Sequence, residues 1–280
     1  MGSAIAQRLA SLGHEMMVWN RTADKARSLG FPVAATPQAL ASGCEVVISI
    51  LTDAKAVDQV YGEMLAGDVK GKLFIEMSTV RPQVQRALNQ KVKEKNASLV
   101  ECPVGGTIGP AKEGKLFGFV GGEAADVARA RPLLDQMCRR VEHVGPVGAG
   151  AAMKLAINLP LLVFWQAFGE ALALVRPLGL DAARLVDIFG DTSGAPTALR
   201  NRAPVLAAAI QGKDTGPVTV DIDAMRKDLR TMVEEAAALG TTLPVTTRAL
   251  ECYDQASAAG LGKGDITGIP VRWMKVRRQS

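Results

Sequence analysis

The chain has 280 residues, 48% hydrophobic and 22% charged, which excludes a disordered polypeptide and leaves room for one large domain or two ordinary ones. Aromatic residues make up only 4%, and the abundant Ala, Val, Leu and Gly suit helices packed closely on a parallel sheet. A formal net charge of +5 is mild, so no nucleic-acid partner is expected, and the visible basic cluster Arg272, Lys275, Arg277 and Arg278 reads as a solvated end. Cys44, Cys102, Cys138 and Cys252 are scattered singly, and only His14 and His143 could join them. Reduced, packed thiols in a cytoplasmic protein are expected, with no metal site and no secretory signal.

The opening Met1-Gly2-Ser3-Ala4-Ile5-Ala6-Gln7-Arg8-Leu9-Ala10 reads as a helix, and Met16–Asn20 as the strand after it. That order reads as the second half of a dinucleotide-binding βαβ unit, or else as a short helix and strand of some other α/β protein. In a complete unit a buried strand precedes G-x-G-x-x-G, and here only Gly2 can be the third glycine, the one that lets helix and sheet pack closely. If translation begins at Met1, roughly ten residues of strand and phosphate loop are expected to be absent.

Short apolar runs then alternate with helical stretches. Strands are predicted at Glu45–Leu51, Leu73–Met77, Ser98–Glu101 and Leu116–Val120, and amphipathic helices at Arg81–Lys95 and Ala124–Met137. After Gly148-Ala149-Gly150 a helix apolar nearly all round is predicted from Ala151 to about Arg176, with Pro160 expected to bend it or mark its first turns. Lys154 and Glu170 bracket an uncharged stretch shorter than the roughly eighteen residues of a span, so no membrane insertion is expected. Helical patterns continue at Ala182–Phe189, Ala203–Ile210, Asp223–Leu239 and Pro244–Ala259. The expected fold is a Rossmann-like, doubly wound α/β domain over residues 1–147 followed by an all-α domain over 148–280.

Several positions suit chemistry. Asn20-Arg21-Thr22 closes the second strand, where an acidic residue binds the ribose hydroxyl of NAD and an arginine suits the 2′-phosphate of NADP; a solvated loop arginine is the competing reading. Leu51-Thr52 and Ser78-Thr79 follow carboxyl ends of strands, where open α/β sheets bind ligands, although such hydroxyls also cap helices. In Cys102–Pro110 the paired Gly105 and Gly106, followed by Thr107, offer backbone N–H groups to a substrate carboxylate, or make an ordinary turn. Lys154 and Asn158, four apart, share one face of the apolar helix. There a lysine with a depressed pKa serves as a general acid/base, unless it merely snorkels out of a core.

Taken in order, Gly13-His14 with Val18-Trp19-Asn20-Arg21-Thr22, Met77-Ser78-Thr79, Pro103-Val104-Gly105-Gly106, Gly150-x-x-Met153-Lys154-Leu155-x-x-Asn158 and Lys227-Asp228-Leu229 resemble the β-hydroxyacid dehydrogenase family over nearly the whole chain. The resemblance implies a Rossmann domain and a 6-phosphogluconate dehydrogenase-like helical domain joined by the long helix, with the active site in the cleft between them. It also implies a nicotinamide cofactor, for which Arg21 favours NADP with NAD an alternative, and a small carboxylate-bearing substrate, a 3-hydroxy acid or its semialdehyde. Lys154 would be the acid/base and Asn158 would orient the substrate; Lys227 and Thr79 would approach the cofactor, and a homodimer or homotetramer is implied. Many members carry serine where this chain has Gly105, which leaves substrate identity less defined than reaction class. The alternatives within this fold are an imine reductase, opposed by Lys154, and a non-catalytic cofactor-binding scaffold.

Overall fold

The computed structural model describes residues 1–275, so Arg277 and Arg278 of the expected basic end lie outside the described residues. The chain divides into two compact units, Met1–Leu155 and Ala156–Ser280. In the first, chain order runs through α1 (Gly2–Ser11), α2 (Ala23–Arg27), α3 (Pro37–Gly43), β1 (Val46–Ser49), α4 (Ala54–Met64), β2 (Leu73–Glu76), α5 (Pro82–Glu94), β3 (Ser98–Glu101) and β4 (Val104–Gly105). It continues through α6 (Ile108–Lys112), β5 (Leu116–Gly121), α7 (Ala124–Met137), β6 (Cys138–Gly145) and the start of α8 (Ala149–Val175).

Strands β1, β2 and β3 are parallel and in register, Val46 opposite Leu73 and Leu73 opposite Ser98. All four residues of β2 are buried, because the central strand is covered on both faces. Leu73, Ile75 and Met77 pack with Ile5 and Leu9 of α1 and with Leu134 and Met137 of α7. Phe74 and Leu99 face the other layer, with Leu40 of α3, Val57 and Tyr61 of α4, and Leu88 and Val92 of α5. This is the expected Rossmann-like α/β architecture. The sheet is nevertheless mixed: β5 runs antiparallel to β3 and β4, and β6 parallel to β5.

Helix starts follow local chemistry. Asp53 accepts from Ala56 N at 2.8 Å and Thr36 from Ala39 N at 3.0 Å, each side chain satisfying a first-turn donor that the helix itself cannot. Proline occupies the first helical position of α3 and α5, where its missing N–H costs nothing.

Three expectations are corrected. Met16–Asn20 is not a regular strand: its pairing is one parallel bridge, Val18 with Val33, with Val18 N donating to Pro32 O and Ala34 N to Val18 O. One short partner supports a bridge and not a ladder. The segment Cys138–Gly145, absent from the predicted strands, is strand β6, whose burial does not alternate strictly because Arg139 and Arg140 are both exposed. Arg272 is not a solvated end; it donates to Cys252 O at 3.0 Å from within the helix Gly268–Lys275.

In the second unit α8 continues to Val175, followed by α9 (Ala182–Gly190), α10 (Thr197–Ile210), α11 (Ile222–Ala238), α12 (Pro244–Ala256) and α13 (Gly268–Lys275). Its only β pairing among the described residues is the isolated bridge between Asp221 and Asp265. Pro160 stands inside α8, well past the first turns, and the helix continues through it. The run Ala149–Leu178 is long and apolar enough to cross a membrane by length and composition alone. Leu162, Trp165, Phe168 and Leu172 on it are buried, as on a core helix of a folded domain.

Two glycines separate close packing from free space. A Cβ on Gly150 would collide with the Phe119 carbonyl oxygen of β5, whereas nothing lies within 4 Å of one on Gly62 in α4. Gly150→Ala is therefore expected to destabilise the protein by about 2–3 kcal/mol, and Gly62→Ala to stabilise it by about 0.5–1 kcal/mol. Urea unfolding of both variants checks the pair, and equal effects would contradict the packing described.

Candidate active site

The carboxyl ends of β1 and β2 are tied together by side chains. Leu51 N donates to Ser78 Oγ at 2.7 Å, Ser78 N donates to Glu76 Oε1 at 3.0 Å, and the Ser78 hydroxyl itself donates to Glu76. Ser78 is thus committed inside the protein and is not the free hydroxyl that its place after a strand suggested. Glu76 is fully buried, and desolvation raises its carboxyl pKa while hydrogen bonds from Ser78 and Gln85 oppose the shift. Leu51 and Thr52 follow β1, Thr79 follows Ser78, and a Cβ on Gly2 would stand 3.0 Å from Ile50 Cγ2. Gly2 therefore lets α1 approach the end of β1, the role a third fingerprint glycine performs.

Asn20, Arg21 and Thr22 are exposed on the loop between the Val18 bridge and α2, where Thr22 N donates to Asn20 Oδ1 at 2.9 Å. Their exposed amide, hydroxyl and guanidinium groups suit the ribose end of a nicotinamide dinucleotide.

The glycine loop is more ordered than its composition suggests. Val104 and Gly105 form β4, opposite Gly118 and Phe117 of β5. Only Gly106 has a positive φ, +122°, and a Cβ there would come within 2.8 Å of Leu116; a Cβ on Gly105 would meet neighbours at an ordinary 3.8 Å. Gly106 is thus required by the backbone, whereas Gly105 leaves open the space that a side chain would fill. Thr107 is the N-cap residue of α6 without a capping bond from its side chain.

The start of α8 is held by a residue to which the sequence assigned no role. Glu101, at the end of β3, is fully buried. Its Oε1 accepts from Gly148 N and from Gly150 N (2.9 Å), and its Oε2 accepts from Ala151 N at 3.3 Å. Burial pushes the Glu101 carboxyl up to about 7, the three amide bonds pull it down, and nearby Glu76 adds a smaller upward push. Lys154 follows one turn later and is itself buried.

In the second unit Asn158 Nδ2 donates to Asp228 Oδ2 at 3.3 Å, and Lys227 Nζ lies 2.6 Å from Asp228 Oδ1. Asp228 is buried and holds both expected site residues of this unit. Its place next to Lys227 was visible in the sequence, but the hydrogen bond to a residue 70 positions away was not.

A family model described as the NAD binding domain of 6-phosphogluconate dehydrogenase matches residues 1–145, and one described as NAD-binding of NADP-dependent 3-hydroxyisobutyrate dehydrogenase matches residues 148–272. The chain belongs to the β-hydroxyacid dehydrogenase family. As a member of this family it is an NAD(P)-dependent oxidoreductase. It is 32% identical over 253 residues to a 3-hydroxyisobutyrate dehydrogenase of Pseudomonas aeruginosa, covering 88% of this chain and 85% of that one. It is 29% identical over 275 residues to glyoxylate/succinic semialdehyde reductase 1 of Arabidopsis thaliana, covering 96% and 93%. Among solved structures, the Mycobacterium tuberculosis 3-hydroxyisobutyrate dehydrogenase described with L-serine superposes with a TM-score of 0.83 at 28% identity, covering 99% of this chain and 96% of that one.

The raised Glu101 carboxyl gives this dehydrogenase a pH signature. A carboxyl whose pKa is higher folded than unfolded contributes stability that is complete below its unfolded value, near 4.5, and is lost as pH rises through its folded value, near 7. The loss is on the order of 3 kcal/mol. Unfolding free energies measured from pH 4.5 to 8 are expected to fall in the parent and to stay flatter in Glu101→Gln; parallel curves would contradict the assignment.

Proposed function

We propose that the protein transfers a hydride between NADP(H) and a small 3-hydroxy acid or its semialdehyde, with Lys154 as general acid/base. The observation that carries this reading is a buried lysine one helical turn before Asn158, on the same face of α8. A buried ammonium is costly unless it serves a ligand or a partner.

Bound NADP(H) supplies or accepts the hydride. The Lys154 ammonium gives its proton to the substrate oxygen during carbonyl reduction and takes it back during alcohol oxidation. Asn158, held through its amide by Asp228, orients that oxygen. The substrate carboxylate sits on the Gly105-Gly106-Thr107 loop, received by backbone N–H groups beyond the β4 pairing. Gly2, Leu51, Thr52 and Thr79 line the cofactor's path along the strand ends, Asn20, Arg21 and Thr22 hold its adenosine end, and Lys227 is a further cofactor contact. The substrate class is supported by relatives named for 3-hydroxyisobutyrate and for glyoxylate and succinic semialdehyde, and the preference for the phosphorylated cofactor by Arg21.

Lys154→Ala is expected to lower turnover by about 10²- to 10⁴-fold while NADPH still binds. The assay uses 3-hydroxyisobutyrate and L-serine with the oxidised cofactors, and glyoxylate and succinic semialdehyde with the reduced ones. Parent-like turnover in the variant would remove Lys154 from the mechanism, and no turnover of any of the four by the parent would overturn the substrate class. Arg21→Asp is expected to shift the ratio of NADPH to NADH affinity toward NADH by at least tenfold, on the order of one lost charge-assisted contact. An unchanged ratio in a fluorescence titration would make Arg21 a loop residue.

A further inference from the structure

Four glycines and one carboxylate build the junction between β3, β5 and α8. Glu101 closes β3 with its side chain buried, and its two oxygens accept the amides of Gly148, Gly150 and Ala151. These include N–H groups that an α-helix cannot satisfy from within. Gly145 (φ +144°) and Gly148 (φ +103°) turn the chain from β6 into the helix with backbone angles that other residues rarely adopt. On the opposite side, a Cβ on Gly121 would collide with Glu101 Oε1, and one on Gly150 with the Phe119 carbonyl. The carboxylate is therefore enclosed, and the beginning of α8 has one seat.

Lys154 is three residues beyond Ala151, the last amide that Glu101 accepts. Both the rise and the rotation of the helix at Lys154 are set by where its first turn is anchored. We propose that Glu101 is a positioning residue for Lys154: by holding the first amides of α8 against the end of β3, it sets where the lysine nitrogen stands. This rests on the reading of Lys154 as the acid/base. Reaction rates are steeply sensitive to such placement, about a hundredfold for an ångström.

The test compares Glu101→Gln, Lys154→Ala and the double variant. A glutamine keeps the size but turns one acceptor oxygen into an NH₂ facing N–H donors, so the seat loosens without a cavity. With the best of the four substrates above, Glu101→Gln is expected to lower kcat by about 10- to 100-fold, with KM and NADPH affinity within about threefold of the parent. In the Lys154→Ala background it is expected to add no further loss, because both changes act through one group. Hydrogen–deuterium exchange of the cofactor-free protein is expected to quicken in the peptide 146–155 and not in α7.

A folded Glu101→Gln with parent kcat, a loss that multiplies with that of Lys154→Ala, or unchanged exchange at 146–155 would each overturn the inference while leaving Lys154 in place. Parent-like turnover by Lys154→Ala alone would instead overturn the acid/base reading, and this inference with it. Should Glu101→Gln not fold, Glu101→Asp keeps the charge and draws it back by one methylene. A fall in kcat of at least threefold is then expected, and an unchanged kcat overturns the inference.

Discussion

Where β3 ends, a carboxylate with no access to water accepts three backbone amides from the start of the longest helix in the chain. An isolated buried charge is costly in a protein interior, and a helix start leaves its first N–H groups without internal partners. Each deficit is met by the other. Glu101 and the turn Gly148-Ala149-Gly150 therefore form one unit although 47 residues separate Glu101 from Gly148. The surrounding glycines follow from the same constraint, since Gly121 and Gly150 lie where a Cβ would meet the carboxylate or the carbonyl of β5. The direction of β5 matters as well: running antiparallel to β3, it brings Gly121 opposite Glu101.

A second buried acid sits one strand away and acts differently. Glu76 ends β2, and its oxygens are taken by Ser78 and Gln85. The Ser78 hydroxyl in turn accepts from Leu51 N, so the loops after β1 and β2 are fastened to each other beneath the positions that follow them. Thr52, whose hydroxyl donates to Asp53 Oδ2 at 3.2 Å, and Thr79 are the residues that follow these fastened positions. Both acids sit at carboxyl ends of parallel strands, where converging loops need internal anchors if a ligand surface is to keep its shape.

Much of this was legible in the residues. Helices α5 and α7 and strands β1, β2, β3 and β5 follow from the switch between short apolar runs and helical periodicity, and Pro82 marks the start of α5. What escaped has physical causes. Met16–Asn20 has the composition of a strand, but a strand is a property of pairing, and Val18 finds one partner residue. In β6 the adjacent exposed arginines Arg139 and Arg140 break the alternation by which a half-buried strand is recognised. Gly105 and Gly106 look equivalent in sequence, yet only Gly106 needs positive φ; Gly105 is an ordinary strand residue. Of the candidate site, the ordered motifs pointed to Lys154 and Asn158 as expectations, whereas Glu101 carried no signal and Asp228 appeared only as the neighbour of Lys227. A buried glutamate and a solvated one are the same letter, and no spacing rule connects Glu101 to Gly148 or Asp228 to Asn158.

The two carboxylates divide the task of holding α8's polar residues according to what each must hold. Glu101 accepts only backbone amides, so it fixes the helix and leaves side-chain charge alone. Asp228 accepts from the Asn158 amide and faces the Lys227 ammonium, so it fixes two side chains and balances one charge. Anchoring through the backbone acts on the first turn of α8 rather than on a side chain. For the acid/base role proposed for Lys154, geometry imposed from one turn away is what such an anchor supplies.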